Sequence, residues 1–147
     1  MAITQAMCTL FKKDLLLGDH HLDTDDIRIA LYTSSASLGA STDAYTTSNE
    51  ITNTSGSAYS AGGKQLTSVA VAENSTSGVF DAADPEWTSA TFTARGALIY
   101  NKTLYDSDNS RGAIAVLDFG GDFTVSGGTF KIVFPAATAS NAIVRID

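Results

Sequence analysis

Two adjacent histidines, His20 and His21, stand among Asp19, Asp23, Asp25 and Asp26, the stretch where imidazoles and carboxylates lie closest along the chain. That grouping suggests metal chemistry, which needs ligands converging on one point. Side chains of neighbouring residues tend to point apart, however. Asp23-Thr24-Asp25-Asp26 lacks the glycine and the distal glutamate of a calcium loop, and no second His/Cys cluster completes a zinc set. The stretch reads as a solvated turn between a helix and a strand. Asp106, Asp108 and Asn109 could also ligate calcium, but Asp-Ser-Asp-Asn-Ser is equally an ordinary turn.

Nucleophilic and acid–base chemistry find little support. No Gly-x-Ser-x-Gly elbow occurs, and both histidines belong to one turn. The single cysteine, Cys8, lies on an apolar stretch where a thiol behaves as a small buried hydrophobe, and it cannot form an internal disulfide. Glu50, Glu73 and Glu86 are the only glutamates, and no spacing singles out a carboxylate pair. Gly62-Gly63, Gly120-Gly121 and Gly127-Gly128 lack any phosphate-loop context and read as turns or bulges. Trp87, after Asp84-Pro85-Glu86, could stack a sugar but reads better as a core or interface anchor. The expectation is a protein without catalysis, with no catalytic, cofactor-binding or metal residues and no cofactor.

Charge narrows the partners. Sixteen acidic residues against nine basic ones give a net charge of −7. The bases are scattered, so nucleic acid and anionic membrane are unfavourable partners. Leu15-Leu16-Leu17 is too short for a signal core or a membrane span, and a soluble protein is expected. With 147 residues and 44% hydrophobic content, one domain spanning 1–147 with a real core is expected.

The elements follow from periodicity. Thr4 as N-cap, the spacing of Met7, Leu10, Phe11, Leu15 and Leu17, and Gly18 as terminator predict one helix at about 5–17 within an N-terminal segment 1–18. From Ile27 the period becomes two. Strands are predicted at 27–32, about 64–72, 78–82, 86–94, 122–125, 129–134 and 142–146, with Gly127-Gly128 as a tight turn and Pro135 ending the strand before it. Residues 96–118 predict a central hairpin turning at 106–110, where Ile99→Ala or Leu117→Ala should cost on the order of 2–5 kcal/mol if those side chains are buried. Segment 34–63 is small, polar and turn-prone, with anchors at Leu38, Tyr45, Ile51 and Tyr59. It reads as an extended polar excursion, either ordered in itself or ordered by a partner. If a second chain orders it, deleting about 41–57 should leave the sandwich folded but abolish oligomerisation or binding to a larger protein assembly. The fold class expected is all-β: an antiparallel β-sandwich, jelly-roll-like, with one short N-terminal helix.

Several segments together resemble a family of small virion structural proteins of tailed bacteriophages. They are Met7-Cys8-Thr9 through Leu17-Gly18, Ile29 through Leu38, Tyr59 through Thr67, Trp87 through Asn101, and Ala115 through Gly121, followed by Phe134-Pro135 and Asn141 through Ile146. The likeness covers essentially the whole chain, and the block Trp87–Asn101 is its most specific part. The resemblance implies a structural role and supplies no catalytic or binding residues. In size and type the chain is also similar to β-rich cement proteins. That likeness implies a capsid decoration or cement protein, made in the host bacterial cytoplasm, that binds the outside of the head. Its expected partners are the major capsid protein and further copies of itself, as a homo-oligomer (dimer or trimer). A tail, neck or baseplate component is the nearest alternative, and a glycan-binding host-attachment module is the alternative of another class.

Overall fold

A computed structural model describes residues 2–147. These residues form β1 (Ala6–Met7), α1 (Thr9–Leu16), β2 (Ile27–Tyr32), β3 (Lys64–Gln65), β4 (Ala70–Asn74), β5 (Ser77–Asp81), β6 (Glu86–Asn101), α2 (Lys102–Ser107), β7 (Ala113–Lys131) and β8 (Val144–Ile146). One sheet has the order β1-β7-β6-β2-β3 and the other β4-β5-β8, with every neighbouring pair antiparallel. The β-rich, antiparallel class expected from strand-sized apolar runs is therefore present.

The N-terminal helix is shorter than expected. Its N-cap is Cys8, not Thr4, because Ala6 and Met7 are drawn into an edge strand against Val116 and Ala115. Ladder hydrogen bonds with β7 outweigh the weak local preference for one more helical turn. Gly18 ends the helix as expected, at φ +78°. The helix buries Phe11 and Asp14, while Leu16 is 90% exposed, so the Leu15–Leu17 run is not a core stripe.

The central hairpin is longer than the 96–118 expected. β6 and β7 pair from Tyr100↔Ala113 out to Glu86↔Lys131. The connection is not a tight turn at 106–110 but α2 plus the turn that follows it. Asn101 caps α2 by accepting the Leu104 N–H at 3.1 Å, and Asp108 accepts the Ser110 N–H at 3.0 Å. Asx capping works equally well for a helix start and for a turn, so composition alone does not separate them.

Two further boundaries move for a related reason. The strands expected at 122–125 and 129–134 belong to the single β7, which ends at Lys131, short of Pro135. Gly127 (φ +65°) forms a bulge opposite the Ala90/Thr91 irregularity instead of reversing the chain. A second irregularity lets residues 119–122 stand against Arg95 alone, between the pairs Gly96↔Asp118 and Ala94↔Phe123. The strand expected at 64–72 divides between the two sheets as β3 and β4, with Ser68 at φ +52° between them.

The core sits around β2 and the inner halves of β6 and β7. Ile29, Leu31, Leu98, Ile99, Ile114 and Val116 are fully buried. Leu117 is only partly buried, so the equal cost expected for Ile99 and Leu117 does not stand. Ile99→Ala should lose about 3–4 kcal/mol, and Leu117→Ala about half of that or less. Denaturant titration of both variants checks the difference.

Segment 34–63 contains no strand among the elements above, yet it is ordered against its own sheet. Ile3 and Leu38 form a parallel bridge, Tyr32 and Glu50 an antiparallel one, and Leu38, Ile51 and Tyr59 are buried. Deleting 41–57 would remove the buried Glu50, Ile51 and Ser57. That deletion should therefore unfold the domain rather than spare it, which corrects the expectation that the segment is dispensable to the fold.

Candidate functional site

Three places gather side chains that could act. The first is built on Glu50, which the Thr33 N–H→Asn49 carbonyl and Ile51 N–H→Leu31 carbonyl bonds hold against the end of β2. Its Oε2 accepts the Tyr45 hydroxyl at 2.6 Å. Its Oε1 accepts the Tyr59 hydroxyl at 2.6 Å and the Gly62 N–H at 2.8 Å. The Tyr59 oxygen also accepts the Leu31 N–H at 3.0 Å, and the Tyr100 hydroxyl donates to the Gly62 carbonyl at 2.7 Å. Tyr45 stacks on Tyr100 with ring centroids 4.8 Å apart. Burial, followed by the Glu50 carboxylate, pushes the phenols of Tyr32, Tyr45 and Tyr59 well above the ordinary tyrosine range. A carboxylate held by three donors is an anchor for the polar segment, not a free base.

The second place is the acidic turn. His20 and His21 do point apart: His20 is buried and His21 is exposed. Three of the carboxylates around them, Asp19, Asp25 and Asp26, are held by hydrogen bonds or ion pairs, while Asp23 is exposed. Arg111 Nη2 lies 2.6 Å from Asp19 and 3.1 Å from the buried Asp14. Asp25 accepts the Asn101 amide at 2.7 Å and the His21 N–H at 3.0 Å, and Asp26 pairs with Arg28 at 3.0 Å. The His20 ring meets Phe11 edge-on at 4.8 Å, and its Nε2 has no hydrogen-bond partner among the described residues. Among the described residues no three His, Cys, Asp or Glu side chains are grouped as a metal ion would require.

This environment has a pH consequence. Burial lowers the His20 pKa, more than the neighbouring Asp14 raises it. An unfolded imidazole takes up its proton as pH falls through about 6.5, whereas the folded one does so only at lower pH. The stability contributed by His20 is thus fully present above that value and is lost as pH falls below it. The melting temperature should drop between about pH 7.5 and pH 5.5, and His20→Gln should flatten that drop.

Cys8 is buried, and burial, with Asp43 second, pushes its thiol up to about 12. Asp106 pairs with Lys102 at 2.6 Å, within the turns of α2. Glu73 and Glu86 are exposed on separate strands. Trp87 is buried among Tyr59, Phe92 and Phe130, with the Lys64 ammonium 5.3 Å over its ring, so it is a core anchor and not a sugar platform.

The third place was not legible in the sequence. The aromatic cluster does not stop at the core. Trp87–Phe92, Phe92–Phe130, Phe130–Phe119 and Phe119–Phe123 follow at centroid spacings of 6.4, 5.1, 6.1 and 6.3 Å, ending at the surface. There Phe119, Phe123, Val125, Phe130, Ile132 and Val133 line an open groove of about 450 Å³, with Phe123 53% and Val133 73% exposed. Their spacing is broken by the glycine bulges, so no two-residue period marks them. Large apolar groups concentrated on one surface mark an interaction site more often than chance exposure. No helix among the described residues is long and apolar enough to cross a membrane.

Comparison with protein-family models, with curated proteins and with solved structures finds no match to this chain.

Proposed function

We propose that this chain is a non-enzymatic structural protein of a tailed-phage virion, a decoration or cement protein that binds the outside of the head and stabilises it as a homo-oligomer. Segment 34–63 carries the reading: it is a polar surface without strands, held rigid by the Glu50–tyrosine anchor on a β-sheet body. A surface ordered before binding loses little conformational entropy on docking, which suits a protein that must sit on many equivalent sites of a shell. The net charge of −7 keeps free subunits soluble and away from the packaged genome. The finer architecture belongs to the same reading. The three-stranded sheet is the second layer of a jelly-roll-like sandwich, a view supported by Phe80 and Val144, which share one apolar cluster with Ile29, Leu31 and Leu98.

Quantitative mass spectrometry of purified virions tests the assignment. A copy number of the order of the major capsid protein's, with immunogold label on heads, is the expected result. A low copy number with label confined to the neck, tail or baseplate would replace the head assignment with a tail one. A low copy number together with retention on a glycan array would replace it with host attachment.

A further inference from the structure

Along the outer edge of β7, β1 pairs with Ala115 and Val116, and the backbone of Ala113, Ile114 and Asp118 bonds Asp43, Cys8 and Gln5. Beyond the irregularity at 119–122, residues 123–131 pair with β6 on one side and with no strand on the other among the described residues. An open edge beside an apolar groove is an invitation to another strand.

The edge is complementary to itself. Read against its own reverse, segment 122–131 sets Asp122 opposite Lys131, Phe123 opposite Phe130, and Thr124 opposite Thr129. In a regular strand Phe123 and Phe130, seven residues apart, would face opposite sides. The bulge at Gly127 removes that conflict. Phe123 pairs with Ala94, Val125 with Phe92 and Phe130 with Trp87, and those three β6 residues are all buried, so the β7 residues share their face. The bulge lies at the centre of the segment, so an antiparallel copy keeps every apolar residue opposite an apolar face and every polar one opposite a polar face. A two-fold axis there repeats each contact, placing two Asp–Lys pairs at the ends and two Phe–Phe pairs inside them.

We infer that β7 residues 122–131 form an isologous dimer interface with a second copy of this chain, antiparallel about Ser126–Gly127, in which Asp122 of each copy meets Lys131 of the other. The inference rests on the homo-oligomer part of the proposed function and not on its virion part.

Sedimentation and light scattering on the purified full chain test it. Wild type should be dimeric. Lys131→Asp, which sets two carboxylates against each other at both ends, should weaken the dimer about tenfold or more. The double charge swap Asp122→Lys with Lys131→Asp should restore it. Register is read separately: a mixture of Phe123→Cys and Phe130→Cys chains should cross-link on oxidation, while neither chain alone should. A monomeric wild type at about 100 µM would overturn the proposal. So would a dimer indifferent to the single charge change, or one not rescued by the swap. Any of these three failures leaves the virion reading to the copy-number measurement, and loss of the virion reading leaves this dimer intact.

Discussion

Replacing Gly63 by alanine should cost more than about 4 kcal/mol and leave little folded protein at growth temperature. Two effects act together. Gly63 has φ +79°, where any other residue is strained by about 1–2 kcal/mol. A Cβ there would also overlap the Ile29 carbonyl oxygen and lie 2.6 Å from the Ile29 carbonyl carbon and 2.8 Å from the Ala30 Cα. All three are backbone atoms of β2, which is fixed between β6 and β3, so no side-chain rotation relieves the clash. Gly18 provides the control. It has nearly the same φ, +78°, but nothing within 4 Å of an added Cβ. Gly18→Ala should therefore lose only the conformational part, about 1–2 kcal/mol. Denaturation curves for the two variants should differ by at least about 2 kcal/mol, and equal curves would show that close approach to β2 does not matter.

Glu50→Ala should be nearly as damaging. The Tyr45 and Tyr59 hydroxyls and the Gly62 N–H would all lose their shared acceptor, and two of those donors are at or near the core. Hydrogen bonds to a charged acceptor contribute about 1.5–3 kcal/mol each, but these three act as a unit, so a loss of about 4 kcal/mol is expected. For a domain of this size that corresponds to a fall of about 10–15 °C in melting temperature. Glu50→Gln keeps one carbonyl acceptor and should fall between Ala and wild type. Limited proteolysis supplies a local readout, since cleavage within 41–61 should accelerate before the rest of the chain opens. Unchanged cleavage and melting would show that the tyrosines hold the segment without the carboxylate.

Much of the fold was legible because it rests on local chemistry. The period-two run Ile27–Tyr32, the apolar runs that become the inner halves of β6 and β7, and Gly18 as helix terminator each depend on residues close in sequence. The scattered bases and the excess of acids are likewise plain in the chain, because net charge does not depend on conformation. Wherever one local signal fits two structures, tertiary contacts made the choice. Gly127-Gly128 can reverse a chain or bulge it, and pairing with β6 made it a bulge. Asn101 and the Asp-rich stretch after it can cap a helix or make a turn, and here they do both. Ala6–Met7 could have continued a helix, but an open strand on β7 was available. Both sites of consequence arise in the same way. Glu50 gathers donors from residues 45, 59 and 62 across a polar stretch with no period, and the surface at Phe119, Phe123 and Phe130 has one face only because a bulge shifts the register. Spacing along the chain encodes which side of one element a residue takes. Only the packed structure decides which elements meet, because long-range pairing depends on the free energy of the whole sheet.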